Sequence, residues 1–160
     1  MDVHLSPKPY LAWPVVPYQG FRLMDAWGGG SFGAPRAGKE NGHPGVDCVG
    51  EPGNRIVIPI VGAVSHIGIA YPGELLGSIH IKGVGLYDGW RVKLFYVEAV
   101  MPRHAVLGQG MPVGVLQDRS ALARKRNPKR GPMINHVHLG LWIDGELVDP
   151  TEYLRRPLHA

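Results

Sequence analysis

The sequence predicts a mainly β protein, built of small antiparallel sheets joined by long loops, and three observations carry that reading. Glycine (23) and proline (15) interrupt the 160 residues so often that long helices are excluded, and helical bundles and coiled coils with them. Hydrophobic residues, at 44%, supply a core, while charged residues, at 19%, are too few for a disordered chain. β-Branched runs bounded by Gly and Pro recur from the middle of the chain onward. The length suits one compact domain.

Residues 1–27 read as an irregular arm, proline-rich up to Gly20, residues 28–155 as the folded domain, and residues 156–160 as a tail. Gly28 to Gly42 is a glycine-rich stretch without periodicity, a long loop of the kind that carries function. From Arg55 the run Ile56 to Val64 predicts strand, and further strands are predicted over Ser78–Lys82, Arg91–Val97 and Met133–Ile143. Tyr87-Asp88-Gly89 and Ile143-Asp144-Gly145 supply turns. Ser120 to Arg126 has room for two helical turns stopped by Pro128, but Arg119 to Arg130 as a whole reads as a solvated basic loop. The sharper alternative is a docking patch for phosphate or carboxylate groups.

The formal net charge of +4 fits an anionic partner such as a cell-wall polymer, and no nucleic-acid partner is expected. A single cysteine, Cys48, excludes an internal disulfide; following Asp47 on a strand, it is expected to be a small buried side chain. No run of eighteen apolar residues is present, so no membrane span is expected. Met1 to Pro7 lacks the pattern of a secretory signal, which leads to the expectation of delivery by another route.

Two segments hold the chemistry: His43-Pro44-Gly45-Val46-Asp47 and His136-Val137-His138. Residues two apart on a strand share a face, so both imidazoles of the second segment project together. Pro44 and Gly45 forbid an ordinary helix, so His43 and Asp47 converge through a bend that enters a strand. Two histidines and a carboxylate leave one corner of a tetrahedral Zn²⁺ open for water. The same spacing, taken alone, also fits an exposed histidine pair.

These residues resemble the lysostaphin/LytM-type zinc metallopeptidases, which cut peptide bridges in bacterial peptidoglycan. The resemblance runs in order over residues 28–155. It begins at Ser31-Phe32-Gly33-Ala34-Pro35-Arg36 and His43-Pro44-Gly45-Val46-Asp47, and continues through Ile58-Pro59-Ile60-Val61-Gly62-Ala63-Val64. It goes on through Gly108 to Gly114 and His136-Val137-His138 to Asp149-Pro150-Thr151-Glu152-Tyr153-Leu154. The resemblance implies zinc ligands His43, Asp47 and His138, with His136 as the general base or orienter beside the metal. It also implies that long loops surround a zinc groove and that the substrate or ligand is a peptidoglycan peptide.

One position departs from the family. Its further catalytic histidine, in a Tyr-x-His-Leu segment, has no counterpart in Val92 to Val100. Strand parity puts the position on Tyr96 or Glu98, and Tyr96 is the favoured replacement; His104 lies beyond Pro102. In this the chain is similar to a chemotaxin branch of the same fold, which has Tyr at this place and is regarded as a binding protein. Two expectations follow. One is a peptidoglycan endopeptidase, carried in a phage tail or tail-like particle beside other virion proteins. The other is a zinc-stapled binding module with little or no catalysis.

Overall fold

The computed structural model describes residues 8–158. The first seven residues of the expected arm, with His4, and the last two of the expected tail, with His159, lie outside the described residues. Two antiparallel sheets form the body. The larger has seven strands, in the order Val106–Leu107, Gly62–Ile69, Gly77–Gly83, Trp90–Phe95, His136–Ile143, Glu146–Val148, with Val46–Val49 also paired to His136–Ile143. The smaller orders Val97–Ala99, Pro112–Leu116, Arg55–Val57 and Val15–Val16. The mainly β, antiparallel expectation holds.

Strand His136–Ile143 explains the layering. Val137, Leu139 and Leu141 are fully buried on one face, while His136 and His138 occupy the other. The neighbouring strands alternate in the same sense: Val92 and Leu94, Ile79 and Ile81, Val46 and Cys48 all join the apolar core. Each fully buried aliphatic side chain contributes about 1.5–3 kcal/mol. Cys48 is accordingly a core residue whose side chain lies across the sheet from Asp47.

The structure differs from the sequence reading at four places. The arm is not irregular throughout: Leu11–Ala12 pairs in parallel with Leu154–Arg155, and Val15–Val16 pairs with Arg55–Val57. Leu11, Trp13 and Val15 are buried there, so apolar side chains between the prolines prevail over the breaks. The run Ile56–Val64 divides at Pro59, which has no N–H for a ladder, into Arg55–Val57 of one sheet and Gly62–Ile69 of the other. Arg91–Val97 likewise breaks at Tyr96, whose φ is +73°, into Trp90–Phe95 and Val97–Ala99. Finally, Arg119–Arg126 is a helix rather than a solvated loop; the Asp118 side chain accepts from the Ala121 N–H, and buried Ala123 docks it. Pro128 lies two residues past its end.

The expected turn at Ile143-Asp144-Gly145 is a two-residue hairpin with positive φ at Asp144 (51°) and Gly145 (83°). Where the arm meets the loop read from Gly28, Met24–Asp25 and Gly28–Gly29 form a small hairpin. No helix among the described residues is long and apolar enough to cross a membrane.

Candidate metal centre

Strand pairing brings the two motif segments together. In the antiparallel ladder His138 lies directly opposite Asp47, and His136 opposite Val49, so His138 and Asp47 meet on one face as a cross-strand pair. His43 reaches them from the Pro44-Gly45 bend. A Cβ on Gly45 would stand 2.2 Å from the Leu139 carbonyl oxygen and 2.8 Å from the His138 ring, so only glycine lets the bend approach this closely.

His43 Nε2 and His138 Nδ1 are 2.9 Å apart, and each is 3.2 Å from Asp47 Oδ1. Ligand atoms placed about 2.0–2.1 Å from a tetrahedral zinc stand about 3.3 Å from one another, close to the observed edges. The donor chemistry agrees with the distances. His43 Nδ1 lies 3.1 Å from the Ser31 carbonyl, which can only accept, so the proton is on Nδ1 and Nε2 presents a lone pair. That lone pair faces a carboxylate oxygen and a second imidazole nitrogen, an arrangement that a cation stabilises. Zinc also requires neutral histidines and an ionised carboxylate. Burial pushes the His138 imidazole below its usual pKa. Burial alone would raise the Asp47 carboxyl, but the electrostatic influence of His136 and the close approach of His138 and His43 hold it well below its ordinary value. The residues present fit a zinc ion.

A residue that the motif reading does not include completes the cluster. Arg22 donates from Nη1 to Asp47 Oδ2 at 2.8 Å, leaving Oδ1 to face the histidines. Its Nε and Nη2 donate to Asp25 at 2.8 and 2.7 Å, and Asp25 also accepts from the Ile134 N–H. Arg22 is 2% exposed, so this ion-pair chain is internal rather than ornamental. Arg22 and Asp25, flanking the apolar Leu23-Met24, were the available signal for a buried pair; nothing in the spacing pointed to Asp47.

His136 shares the face of His138 but stands outside the triangle. Its Nδ1 donates to the Ile134 carbonyl at 2.7 Å, so Nε2 carries the lone pair, 3.5 Å from Asp47 Oδ2. Burial pushes its pKa down to about 4, which keeps the ring neutral near pH 7.

Tyr96 stands beside His136, with ring centroids 5.4 Å apart and the rings edge to face. The parity argument that made Tyr96 and Glu98 equivalent fails, because the left-handed conformation at Tyr96 ends one strand and starts another. Tyr96 is buried in the cleft and Glu98 is exposed on the second sheet. That conformation costs on the order of 1–2 kcal/mol for a residue with a Cβ. Burial pushes the phenol above its ordinary pKa, so it remains a hydrogen-bond donor. His104 is exposed on the connection that follows Val97–Ala99.

A cleft of about 340 Å³ runs over the cluster, lined by His43, Asp47, His136, Tyr96 and the side chains of flanking loops. Trp27 lines one wall, its Nε1 donating to the Gly131 carbonyl and its ring covered by the Arg130 guanidinium at 4.5 Å. Trp13 and Trp90 are core residues, and Trp142 is half-buried over Gly140. His66 and His80 face each other across a hairpin, 4.9 Å apart and away from the cluster.

No family model matches the sequence, and no curated protein matches it. Solved structures do share its shape. Csd3 from Helicobacter pylori superposes with a TM-score of 0.61 at 19% identity, covering 93% of this chain and 34% of that one. A zinc containing peptidase from Vibrio cholerae gives 0.59 at 16%, covering 94% and 41%. The catalytic domain of the antimicrobial peptidase lysostaphin from Staphylococcus simulans gives 0.60 at 16%, covering 79% and 90%. The chain therefore spans well under half the length of the first two and most of the third. These neighbours are lysostaphin/LytM-type peptidases, and what this chain shares with them is the fold.

Proposed function

We propose that this chain is a zinc-dependent endopeptidase-like protein that hydrolyses peptide cross-bridges of peptidoglycan. The observation that carries the reading is the convergence of His43 Nε2, His138 Nδ1 and Asp47 Oδ1 within 2.9–3.2 Å, under an open cleft and beside an uncommitted base. His43, Asp47 and His138 would hold the ion. The chemistry a bound zinc supplies is Lewis-acid activation of water and of a peptide carbonyl.

The chain's own side chains supply the remainder. His136 Nε2 accepts the proton of the attacking water and returns it to the leaving amine; its hydrogen bond to the Ile134 carbonyl fixes the ring for that exchange. The Tyr96 hydroxyl donates to the carbonyl oxygen as negative charge develops there. A phenol donates without the positive charge of an imidazolium, so catalysis here is slow relative to a site with histidine at this position. Arg22 keeps Asp47 engaged through one oxygen only.

The substitution at Tyr96 also favours a second reading, a zinc-stapled module of the chemotaxin kind that holds cell-wall peptide or a partner without cutting it. Zinc-loaded protein incubated with peptidoglycan separates the two. New amino termini that disappear in His136→Ala support the enzyme, and Tyr96→His should then raise the rate, while Tyr96→Phe should lower it by about 10²–10³. Stoichiometric zinc with no release of amino termini from either the wild type or Tyr96→His supports the module.

A further inference from the structure

The face of the larger sheet that bears His136 and His138 continues away from them as a lane of cations. Antiparallel register sets its rows: Ser78, Phe95 and His138 stand side by side, then His80, Lys93 and Gly140, then Lys82, Arg91 and Trp142. Directly opposed residues lie about 5 Å apart, and successive rows on one face about 6.7 Å, so the last row is about 13 Å from His138. Lys82 and Arg91 are exposed, and Lys93 is half-buried with its ammonium 4.6 Å over the Trp142 ring. Like charges directly opposite each other destabilise a sheet. Lys82 nevertheless faces Arg91, and none of the three cations forms an ion pair among the described residues. Burial, and then Lys93 and His66, lower the neighbouring His80 to about 4.

The three cations line a cavity of about 470 Å³, separate from the cleft over the metal cluster. Asp88 and Asp144 form its far rim, on two turns joined by the Asp144 N–H donating to the Gly89 carbonyl at 2.9 Å. Cations that repel one another around an open cavity are stabilised by an anion that enters it. We infer that Lys82, Arg91 and Lys93 form a second binding site, for a polyol chain linked by phosphodiesters, such as poly(glycerol phosphate). The Lys82–Arg91 pair takes one phosphate, Arg91 presenting the fork of donors that matches phosphate oxygens. Lys93, one row away, takes the next, and an extended three-carbon glycerol unit covers that interval. Asp88 and Asp144 accept from the hydroxyls of the polyol, donors that a bare polyanion lacks. A nucleic-acid strand matches the lane less well. It relies on bases stacked against open aromatic rings, whereas Trp142 lies over Gly140 beneath the Lys93 ammonium. The site requires neither zinc nor cleavage; it holds the polymer beside the cleft and leaves the cleft free.

Calorimetric titration of the full chain with a synthetic glycerol phosphate hexamer tests this. Binding should have the same affinity with zinc present and with zinc removed by a chelator. Arg91→Gln and Lys93→Gln should each weaken it about tenfold. Lys125→Gln, on the exposed end of helix Arg119–Arg126, should leave it unchanged. Each lane variant also relieves a repulsion and should melt no lower than the wild type, which separates lost affinity from lost fold. Equal weakening by all three variants would mean diffuse attraction to a basic protein, and it overturns the site. No binding by the wild type overturns it too, as does binding that needs zinc, which puts the phosphates on the metal. A thymidylate hexamer bound as tightly as the glycerol phosphate hexamer overturns the assignment of the ligand. Failure of the protein to cut peptidoglycan removes the endopeptidase reading and leaves this one standing.

Discussion

Gly45 is where the cluster of His43, Asp47 and His138 is most vulnerable without any of the three being touched. A methyl group there would meet the Leu139 carbonyl and the His138 ring at 2.2 and 2.8 Å, and backbone on one side cannot yield. Gly45→Ala should therefore move His138 and lower zinc affinity about 10–100-fold, the range seen when the support of a ligand is lost; competition with a chromophoric chelator measures it. Unchanged affinity would mean that the bend adapts. Arg22 presents the complementary case. Arg22→Met leaves the buried carboxylates of Asp47 and Asp25 without their cation, a loss of about 3–5 kcal/mol in urea unfolding of the zinc-free protein. Saturating zinc should restore part of that loss, because the ion offsets the charge on Asp47 but not that on Asp25. A variant equally destabilised with and without zinc would argue against Asp47 as a ligand.

Strands decide which of these side chains the sequence makes legible. His136 and His138 can be put on one face because residues 136–143 are extended throughout, and Asp47 follows because Val46–Val49 pairs with that strand in register. Tyr96 is legible only as a position. Parity assumes an extended backbone at every step, and a φ of +73° at one residue resets the count, so Glu98 leaves the face that parity assigns to it. Arg22 is illegible for another reason: it lies outside any strand or helix, where periodicity carries no information and long-range packing decides the neighbour. The hairpin of Gly62–Ile69 and Gly77–Gly83 offers a separate test. Burial, then Lys93 and His66, push His80 from 6.5 down to about 4. Between those values the unfolded chain binds more protons than the folded one, so the contribution to stability is complete above pH 6.5 and is lost as pH falls toward 4. His80→Gln should thus reduce the drop in melting temperature between pH 7.5 and pH 5, and an identical drop in both proteins would refute the assignment.

The chain as one object depends on segments outside the motif-bearing stretch. Leu11, Trp13 and Val15 close the core from the proline-rich arm, and each is at most 4% exposed. Removing them costs roughly 5–9 kcal/mol of burial, comparable with the 5–15 kcal/mol by which a domain of this kind is stable. A chain beginning at Gly28 should therefore lose its cooperative thermal transition even though it retains His43, Asp47, His136 and His138. A sharp transition within a few degrees of the full chain would show instead that the arm is dispensable. The arm closes by a parallel pairing of Leu11–Ala12 with Leu154–Arg155, anchored by the Leu11 N–H on the Tyr153 carbonyl at 2.8 Å. Because these two segments point the same way, tension applied through the opposite extremities slides one along the other. Their hydrogen bonds are then loaded together in shear, not peeled apart singly, and a tug on the polypeptide meets its resistance at that clasp before it reaches His43 and His138.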